Sequence, residues 1–600
     1  MDTIRTALLR RINAAIAKSF DGGRDRAAVT NGPKSVPRSV RLGALSAILF
    51  LIVIAPASVC FGQVVDSKTA EPTAATTTTE ASAPSDQPVD TCDESTCEKL
   101  GWLPGSVGWE QFSWATVPPI RLPLPRPGWF YIRPNGPGYY SLLDVVTDTW
   151  REGPPHFPLP PQTPDPYAFY DADFRYLEDP NNTQVSLTDP LKRIHLGDDW
   201  LLSLGGEFRP RYMDEIDYAR LTNTYNPHWL DQIQAYGDLW YRDLARLYID
   251  GIDARSYGQV LKPLANDVDH MDFLNLFVDL KVWQFGDNPL YVRVGRQEMY
   301  LGSQRLISPA DWNNMPRTFQ GVRAMYQSPQ WSVDAFWVRP VMIFPSSLDE
   351  PIDAQNFSGL WTTYRPQKNQ SIDAYYLFLS QTAPVAKGEG GVLGGFDVNT
   401  IGSRYSGDSN DRLWDFEAMY QFGRWSNQSI SAGAATGGLG YRFSALPYNP
   451  TLWTYIDYAS GDPHPGQGDE HETFNQLFPF GHLYFGYLDL VGRQNIIDPN
   501  LQLGINPTNW MFIGAQGHFF FLASARDALY NAAGQVLFVD PTGGDGTHVG
   551  NELDIYSIIN VTTYQSVLIG YSHMFEGGFL EAAKVSPAPN MFYAQYSLKW

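Results

Sequence analysis

The chain has 600 residues, more than one ordinary globular core absorbs, so it forms several domains or one large closed architecture. Its formal charge of −21 excludes general nucleic-acid binding, which needs net positive charge. Aromatic residues supply 14% of the chain and charged residues only 18%, and with 52 Gly and 45 Pro this suits a fold of many turns.

Residues 1–41 carry nine Lys/Arg, and Leu42 to Ala57 (LGALSAILFLIVIAPA) is an apolar run followed by small residues. Charge, a short apolar run and small residues predict a secretory signal peptide over 1–62; the run is shorter than the roughly 20 residues of a spanning helix. Its removal leaves 34 Lys+Arg against 61 Asp+Glu. Cys92 and Cys97 then remain, a candidate local disulfide in an oxidising compartment, with no histidines or further thiols for a zinc site. Residues 63–97 open with a Thr/Ala/Pro-rich tract that cannot bury apolar area and read as a disordered linker. Residues 98–185 are dense in proline and aromatics (LPLPRPGWFYIRPNGPGYY), which forbids helices and sheet interiors and predicts an extended periplasmic segment docking through its rings.

From 186 to 600 the texture changes to period two. WLLSLGGEFRPRY sets Leu202, Leu204 and Phe208 against Ser203, Glu207, Arg209 and Arg211; FLNLFVDLKV sets Leu274, Leu276, Val278 and Leu280 against Asn275, Asp279 and Lys281. WDFEAMYQF sets Trp414, Phe416, Ala418, Tyr420 and Phe422 against Asp415, Glu417 and Gln421, and MFYAQYSLKW opposes Phe592, Ala594, Tyr596, Leu598 and Trp600 to Tyr593, Gln595, Ser597 and Lys599. Such alternation means strands with one apolar and one polar face. Fully charged polar faces suit a hydrated interior, and faces rich in Tyr, Trp and Phe suit interfacial girdles. Short turns such as YRPQKNQS alternate with long loops such as AKGEGGVLGGFDVNT and SGDPHPGQGDEHET. The reading is all-β: a single large antiparallel transmembrane β-barrel with a Pro-rich N-terminal extension. An aromatic at Trp600 fits the signal that barrel-insertion machinery reads.

By the same parity Arg209, Arg211, Arg246, Arg293, Arg323, Arg404 and Arg442 point into the lumen, as do Glu207, Asp279 and Glu417. A bulge after Gly295 leaves the side of Arg296 open. The loop beyond it, with Arg305, Asp311 and Arg317, is placed to fold inward as a constriction. Acid-rich stretches DESTCE, SGDSNDR and GQGDEHE read as solvated loops, since none has EF-hand spacing. No G-x-S-x-G, H-E-x-x-H or P-loop occurs, and His464, His471 and His482 are scattered, so neither enzymatic activity nor a cofactor is expected.

Several segments resemble the alginate-export outer-membrane porins: LKRIHLGDDWLLSLGGEFRPRY (191–212), VRVGRQEMYLGSQRLISPADWNNMPRTFQGVR (292–323), DFEAMYQFGRW (415–425), SGDPHPGQGDEHETFNQLFPFGHLYFGYLDLVGRQNI (460–496) and HVGNELDIY (548–556). The resemblance covers about 186–600 in order, and GRQ…G.QRL…DW…R…GVR is its most specific part. It implies an 18-stranded monomeric barrel in the bacterial outer membrane, with an arginine-lined constriction that passes an anionic, polyuronate-like polysaccharide supplied by periplasmic export components. The Pro-rich 98–185 segment and Trp600 in place of the usual Phe depart from the pattern. A general anion-selective uptake porin and a sealed structural or adhesion barrel are the alternatives.

Overall fold

The computed structural model describes Trp114, Leu142–Thr147, residues 168–172, 174–178 and 180, and residues 188–600 except 368, 509, 563 and 585. The expected signal peptide, the expected linker with Cys92 and Cys97, and most of 98–185 lie outside these residues. Among the described residues no helix is long and apolar enough to cross a membrane.

Eighteen antiparallel strands close into a barrel. In chain order they are β1 (Trp200–Ile216), β2 (His228–Tyr241), β3 (Ala245–Tyr257), β4 (Asp269–Phe285), β5 (Asn288–Gln297), β6 (Phe319–Gln327), β7 (Trp331–Met342), β8 (Gln355–Tyr364) and β9 (Gln370–Lys387). The remainder are β10 (Leu393–Ser409), β11 (Arg412–Trp425), β12 (Gln428–Arg442), β13 (Thr451–Ala459), β14 (Ile496–Thr508), β15 (Met511–Leu522), β16 (His548–Asn560), β17 (Gln565–Glu576) and β18 (Asn590–Lys599). Each pairs with its sequence neighbour, and β1 pairs with β18 to complete the cylinder. In lipid, only closure satisfies the edge groups of a sheet.

The period-two pattern sorts the two faces. Ile233, Ile249, Val278, Val294, Val322, Ile401, Ile456, Leu501, Ile555 and Ile569 stand exposed on the outer surface, where lipid covers them. Aromatic pairs sit at strand ends beside the short turns: Trp200 with Tyr241 at 4.8 Å, Trp331 with Tyr364 at 4.6 Å and Tyr405 with Trp414 at 5.7 Å between ring centroids. They form the interfacial girdle of that end. Turns 242–244, 286–287, 328–330 and 410–411 lie there, and loops L3 (298–318), L4 (343–354), L7 (460–495) and L8 (523–547) lie at the opposite, extracellular end.

Three local expectations fail for identifiable reasons. Leu274 faces inward, 1% exposed, because a bulge pairs Asp250 with Asn275 but Gly251 with Phe273 and so reverses the parity of β4. Residues 386–400 are not a long loop: the ladder of β9 and β10 runs through them apart from a tight connection at 388–392. The acidic SGDSNDR stretch is likewise the end of β10, a turn at 410–411 and the start of β11.

The closing seam is reinforced from outside the strands. Lys192 Nζ donates to the Leu204 carbonyl (2.5 Å), Tyr236 Oη (2.9 Å) and the Trp600 carbonyl (3.0 Å). Trp600 and Gly206 exchange two backbone hydrogen bonds of 3.0 Å. A Cβ on Gly206 would lie 2.6 Å from the Trp600 ring, so a residue without a side chain is needed at this crossing. Lys192→Met should remove three hydrogen bonds at the seam at a cost of about 1–3 kcal/mol. The expected outcome is a lower temperature for loss of the heat-modifiable folded band in gel-shift assays, with the barrel still assembling.

Candidate functional site

The inner wall carries rows of paired charges. Arg246, Asp279, Arg293 and Arg323 stand in direct register across β3, β4, β5 and β6. Arg293 grips Asp279 through Nε (2.7 Å) and Nη2 (2.9 Å), Arg246 grips Asp238 through Nε (2.7 Å) and Nη2 (2.8 Å), and Arg323 Nε donates to Asp334 at 2.9 Å. All are essentially buried, so each guanidinium is compensated by carboxylates rather than by water. The planar fork suits such two-point grips.

L3 folds into the barrel and is latched by Arg305. Its Nη2 donates to Asp415 (2.8 Å) and its Nη1 to Glu417 (3.0 Å), both on β11, while Arg404 Nε holds the other Asp415 oxygen at 2.7 Å. Tyr375 Oη donates to Glu417 at 2.9 Å. Gly302, at φ +55°, lies so close to Trp361 that a Cβ would sit 2.3 Å from the indole, and this lets L3 settle on the wall. L7 joins L3 through a parallel bridge, Ile307 with Phe478, and is latched by Arg493, whose Nη1 donates to Asp457 (2.9 Å) and Thr436 Oγ1 (3.1 Å). Leu488, Val491, Phe474 and Phe485 of L7 and Leu529 of L8 share one apolar cluster with inward residues Phe357, Trp361, Leu377, Val398 and Trp453. The interior is therefore filled by loops over much of its section, and its wall is less uniformly polar than the alternation suggests.

A cavity of about 50 Å³ lies beside L3 and L7, bounded by Glu207, Arg209, Arg211, Asp311, Trp312, His482 and Lys599 together with apolar side chains such as Phe480, Ile558 and Leu568. Arg209 is committed to Asp311 (3.1 Å) and the Asn313 carbonyl (2.9 Å). Arg211 differs. Its Nε donates to Gln595 Oε1 at 2.7 Å and its guanidinium lies 3.7 Å from the Trp312 ring centroid. Among the described residues no carboxylate lies within ion-pair distance of it. His482 stacks on Trp312 at 4.0 Å, and Trp312 Nε1 donates to Tyr218 Oη at 2.8 Å, so the platform under Arg211 is fixed.

The other sequence-derived residues fall as follows. Glu207 accepts from Ser597 across the seam, and Arg317 donates to the Ser308 (3.1 Å) and Pro479 (3.4 Å) carbonyls, binding L3 to L7. Arg296 is only partly buried and turns to the loop-side rim, donating to Asp272 (3.2 Å) and the Asp349 carbonyl (2.5 Å) rather than into the cavity. Arg442 sits half-buried at the turn-side end of β12, away from the cavity lining. Arg493 and Trp312 were not singled out, Lys599 was read only as part of a polar strand face, and His482 only as one of three scattered histidines. Arg493 had a sequence signal, since Gly492–Gln494 repeats the Gly-Arg-Gln of 295–297.

Part of the N-terminal extension also lies inside the wall. Tyr170 is 3% exposed; its hydroxyl donates to the Glu298 carbonyl (2.7 Å), its carbonyl accepts from Arg246 (2.7 Å), and Arg293 stands over its ring at 4.5 Å. Phe169 stacks on Tyr236 at 5.3 Å.

The family model described as Alginate export matches residues 200–594. Solved structures similar to the chain include the outer membrane protein OprD from Pseudomonas aeruginosa, at 10% identity and TM-score 0.43, covering 66% of this chain and 94% of that one. OccD3 (OpdP) of the same organism gives 10% identity, TM-score 0.45 and coverage of 66% and 91%. OccK11 (OpdR), also of P. aeruginosa, gives 12%, 0.43, 66% and 96%. No curated protein matches the chain.

Two outcomes are expected. Arg305→Leu strands Asp415 and Glu417 beside a missing partner at a cost of about 3–5 kcal/mol, so L3 should become cleavable by protease in the folded barrel while the wild type resists. In L7, burial holds the His471 imidazole down to about 4 from its ordinary 6.5, with the ring stacked on Trp425 at 4.5 Å. Between those values the unfolded state binds more protons, so the local fold weakens as pH falls from about 6.5 to about 4. Nuclear magnetic resonance should show the His471 ring titrating near 4, with amide exchange in 469–473 rising over that window and not in His471→Gln.

Proposed function

The chain belongs to the alginate-export family, and from that footing we propose that this outer-membrane channel passes an anionic saccharide, a polyuronate-like chain or its oligomers, with Arg211 as the group that grips its carboxylates. The observation that carries the reading is the isolation of Arg211. The inward arginines Arg246, Arg293, Arg305, Arg323, Arg404 and Arg493 are held by carboxylates and offer little net field, and Arg317 spends its donors on loop carbonyls. Arg211 is braced flat on Trp312, tethered through Nε, and borders the cavity with its Nη atoms donating to no described residue. A guanidinium held rigid with free donors forms two-point bonds to a carboxylate without first losing a partner. A repeating polyanion needs such a grip to be weak and renewable, and neighbouring Glu207 and Asp311 keep the local charge close to balance.

Conduction requires L7 and the Arg305 part of L3 to make way, while the part of L3 that carries Trp312 stays on the wall, where Arg209 and Gln232 hold Asp311, Asn313 and Asn314. Arg305, Arg317 and Arg493 then act as the latches of a closed state, and the N-terminal segment around Tyr170 as a partial plug. The extent to which L3, L7 and L8 fill the interior favours a second reading, a barrel sealed for a structural or adhesive role.

Planar-bilayer recording distinguishes them. The proposal expects anion-selective current that oligouronate blocks, with block weakened roughly ten- to a hundredfold in Arg211→Glu. Current indifferent to oligouronate leaves a general anion porin. No current from heat-modifiable, folded protein, either wild type or Arg305→Leu, leaves the sealed barrel.

A further inference from the structure

Away from the occluding loops, three carboxylates meet at the loop-side rim. Asp269 opens β4, Asp272 lies three residues further along it, and Asp349 comes from L4. One oxygen from each lies within 4.8 Å of the others, and the residues are 0%, 4% and 4% exposed. Hydrogen bonds account for only some of their oxygens. Asp272 accepts from the Phe273 amide (2.5 Å), the Asp349 amide (2.5 Å) and Arg296 (3.2 Å), and Asp349 Oδ1 accepts from the Phe344 amide (2.7 Å). Both oxygens of the fully buried Asp269, and Asp349 Oδ2, have no hydrogen-bond partner.

We propose that Asp269, Asp272 and Asp349 form a site for a hard divalent cation of the calcium type, which pins L4 to the end of β4. Three observations point one way. Buried carboxylate oxygens without donors are costly unless a cation or proton meets them. Three carboxylates beside one guanidinium, Arg296, leave an excess charge of two, which a divalent ion cancels. The donors are all oxygen, with no imidazole or thiolate in the set, and that chemistry selects calcium or magnesium over zinc. A loop contributing one ligand to two from a strand suits the looser coordination of calcium.

The position also links the ion to L3. The Asp267 carbonyl, two residues before Asp269, accepts from Asn314 Nδ2 at 2.8 Å, and the Asn266 carbonyl accepts from the Met315 amide at 2.8 Å. An ion that fixes the start of β4 therefore steadies the strand end on which L3 rests. This inference is independent of what the channel passes, because ion binding is read without any current.

The test uses the full-length protein folded in detergent and stripped with chelator. Mn²⁺ is titrated with detection by electron paramagnetic resonance, followed by displacement with Ca²⁺, on the wild type, Asp269→Asn and Asp349→Asn. Heat-modifiability confirms folding, and Asp349→Asn, in a loop, guards against a strand variant that misfolds. The proposal expects the wild type to hold one Ca²⁺-displaceable Mn²⁺ that both variants bind roughly tenfold or more weakly. It also expects Ca²⁺ to protect L4 from chymotrypsin in the wild type alone. Equal binding in wild type and folded variants overturns it, as does a wild type from which Ca²⁺ displaces no bound Mn²⁺.

Discussion

The constraint on which the structure depends is that a strand in lipid has no water to satisfy its backbone, so the sheet must have no free edge. Everything else follows from closing the ladder between β1 and β18. Closure fixes which face meets the bilayer, and the strict alternation of side chains then divides the sequence into an outward apolar set and an inward set. It also makes the seam the place where an error is least tolerated. The ladder there is unpaired at Arg209 and Pro210, where proline has no amide hydrogen to give. The compensation lies beside it: Lys192 ties the Leu204 and Trp600 carbonyls together, in space that Gly205 and Gly206 leave open.

Closure gathers the inward charges into one shielded volume, where pairing decides their effect more than their number does. A chain with a net charge of −21 can line its interior with arginine because nearly every inward guanidinium is matched to an inward carboxylate. Such pairs offset their own desolvation and hold the wall and loops in register, but they cancel one another's field at a distance. An arginine tally therefore overstates the attraction for an anion. Of the two arginines that border the cavity, Arg209 has a carboxylate partner and Arg211 differs, its neighbours being an indole and an amide.

The division of faces was legible in the sequence because it depends only on parity, which the chain carries locally. Glu207, Arg209, Arg211, Arg293, Arg323 and Glu417 could be assigned to the inside from two or three neighbours each. Leu274 could not, because the bulge that turns it inward is a property of its pairing with β3 and not of its own strand. The partners of L3 were equally hidden. Arg305 stands 110 residues before Asp415 and 112 before Glu417, and Trp312 stands 170 before His482, so no local pattern announces either contact. The gly-rich stretch at 386–400 misled for a third reason: small residues that usually mark a loop here occupy paired positions of two long strands.

The two occluding loops are coupled by their backbones, and that bears on how the interior can open. The Phe478 amide donates to the Leu306 carbonyl, the Ser308 amide to the Phe478 carbonyl and the Phe480 amide to the Gln304 carbonyl. If L3 left alone, these groups would lose their partners inside a poorly hydrated interior, a cost that accrues at each one. If residues 304–308 of L3 leave together with L7 these bonds persist, residues 311–314 stay on the wall with Arg209, and the latches that must break are Arg305 to β11 and Arg493 to β13. Both latches are guanidinium–carboxylate contacts, the kind of bond for which a carboxylate-bearing chain in the lumen competes directly. On the proposed reading of the substrate as a polyanion, L7 and residues 304–308 of L3 move jointly as the arriving chain takes over the arginines that hold them closed.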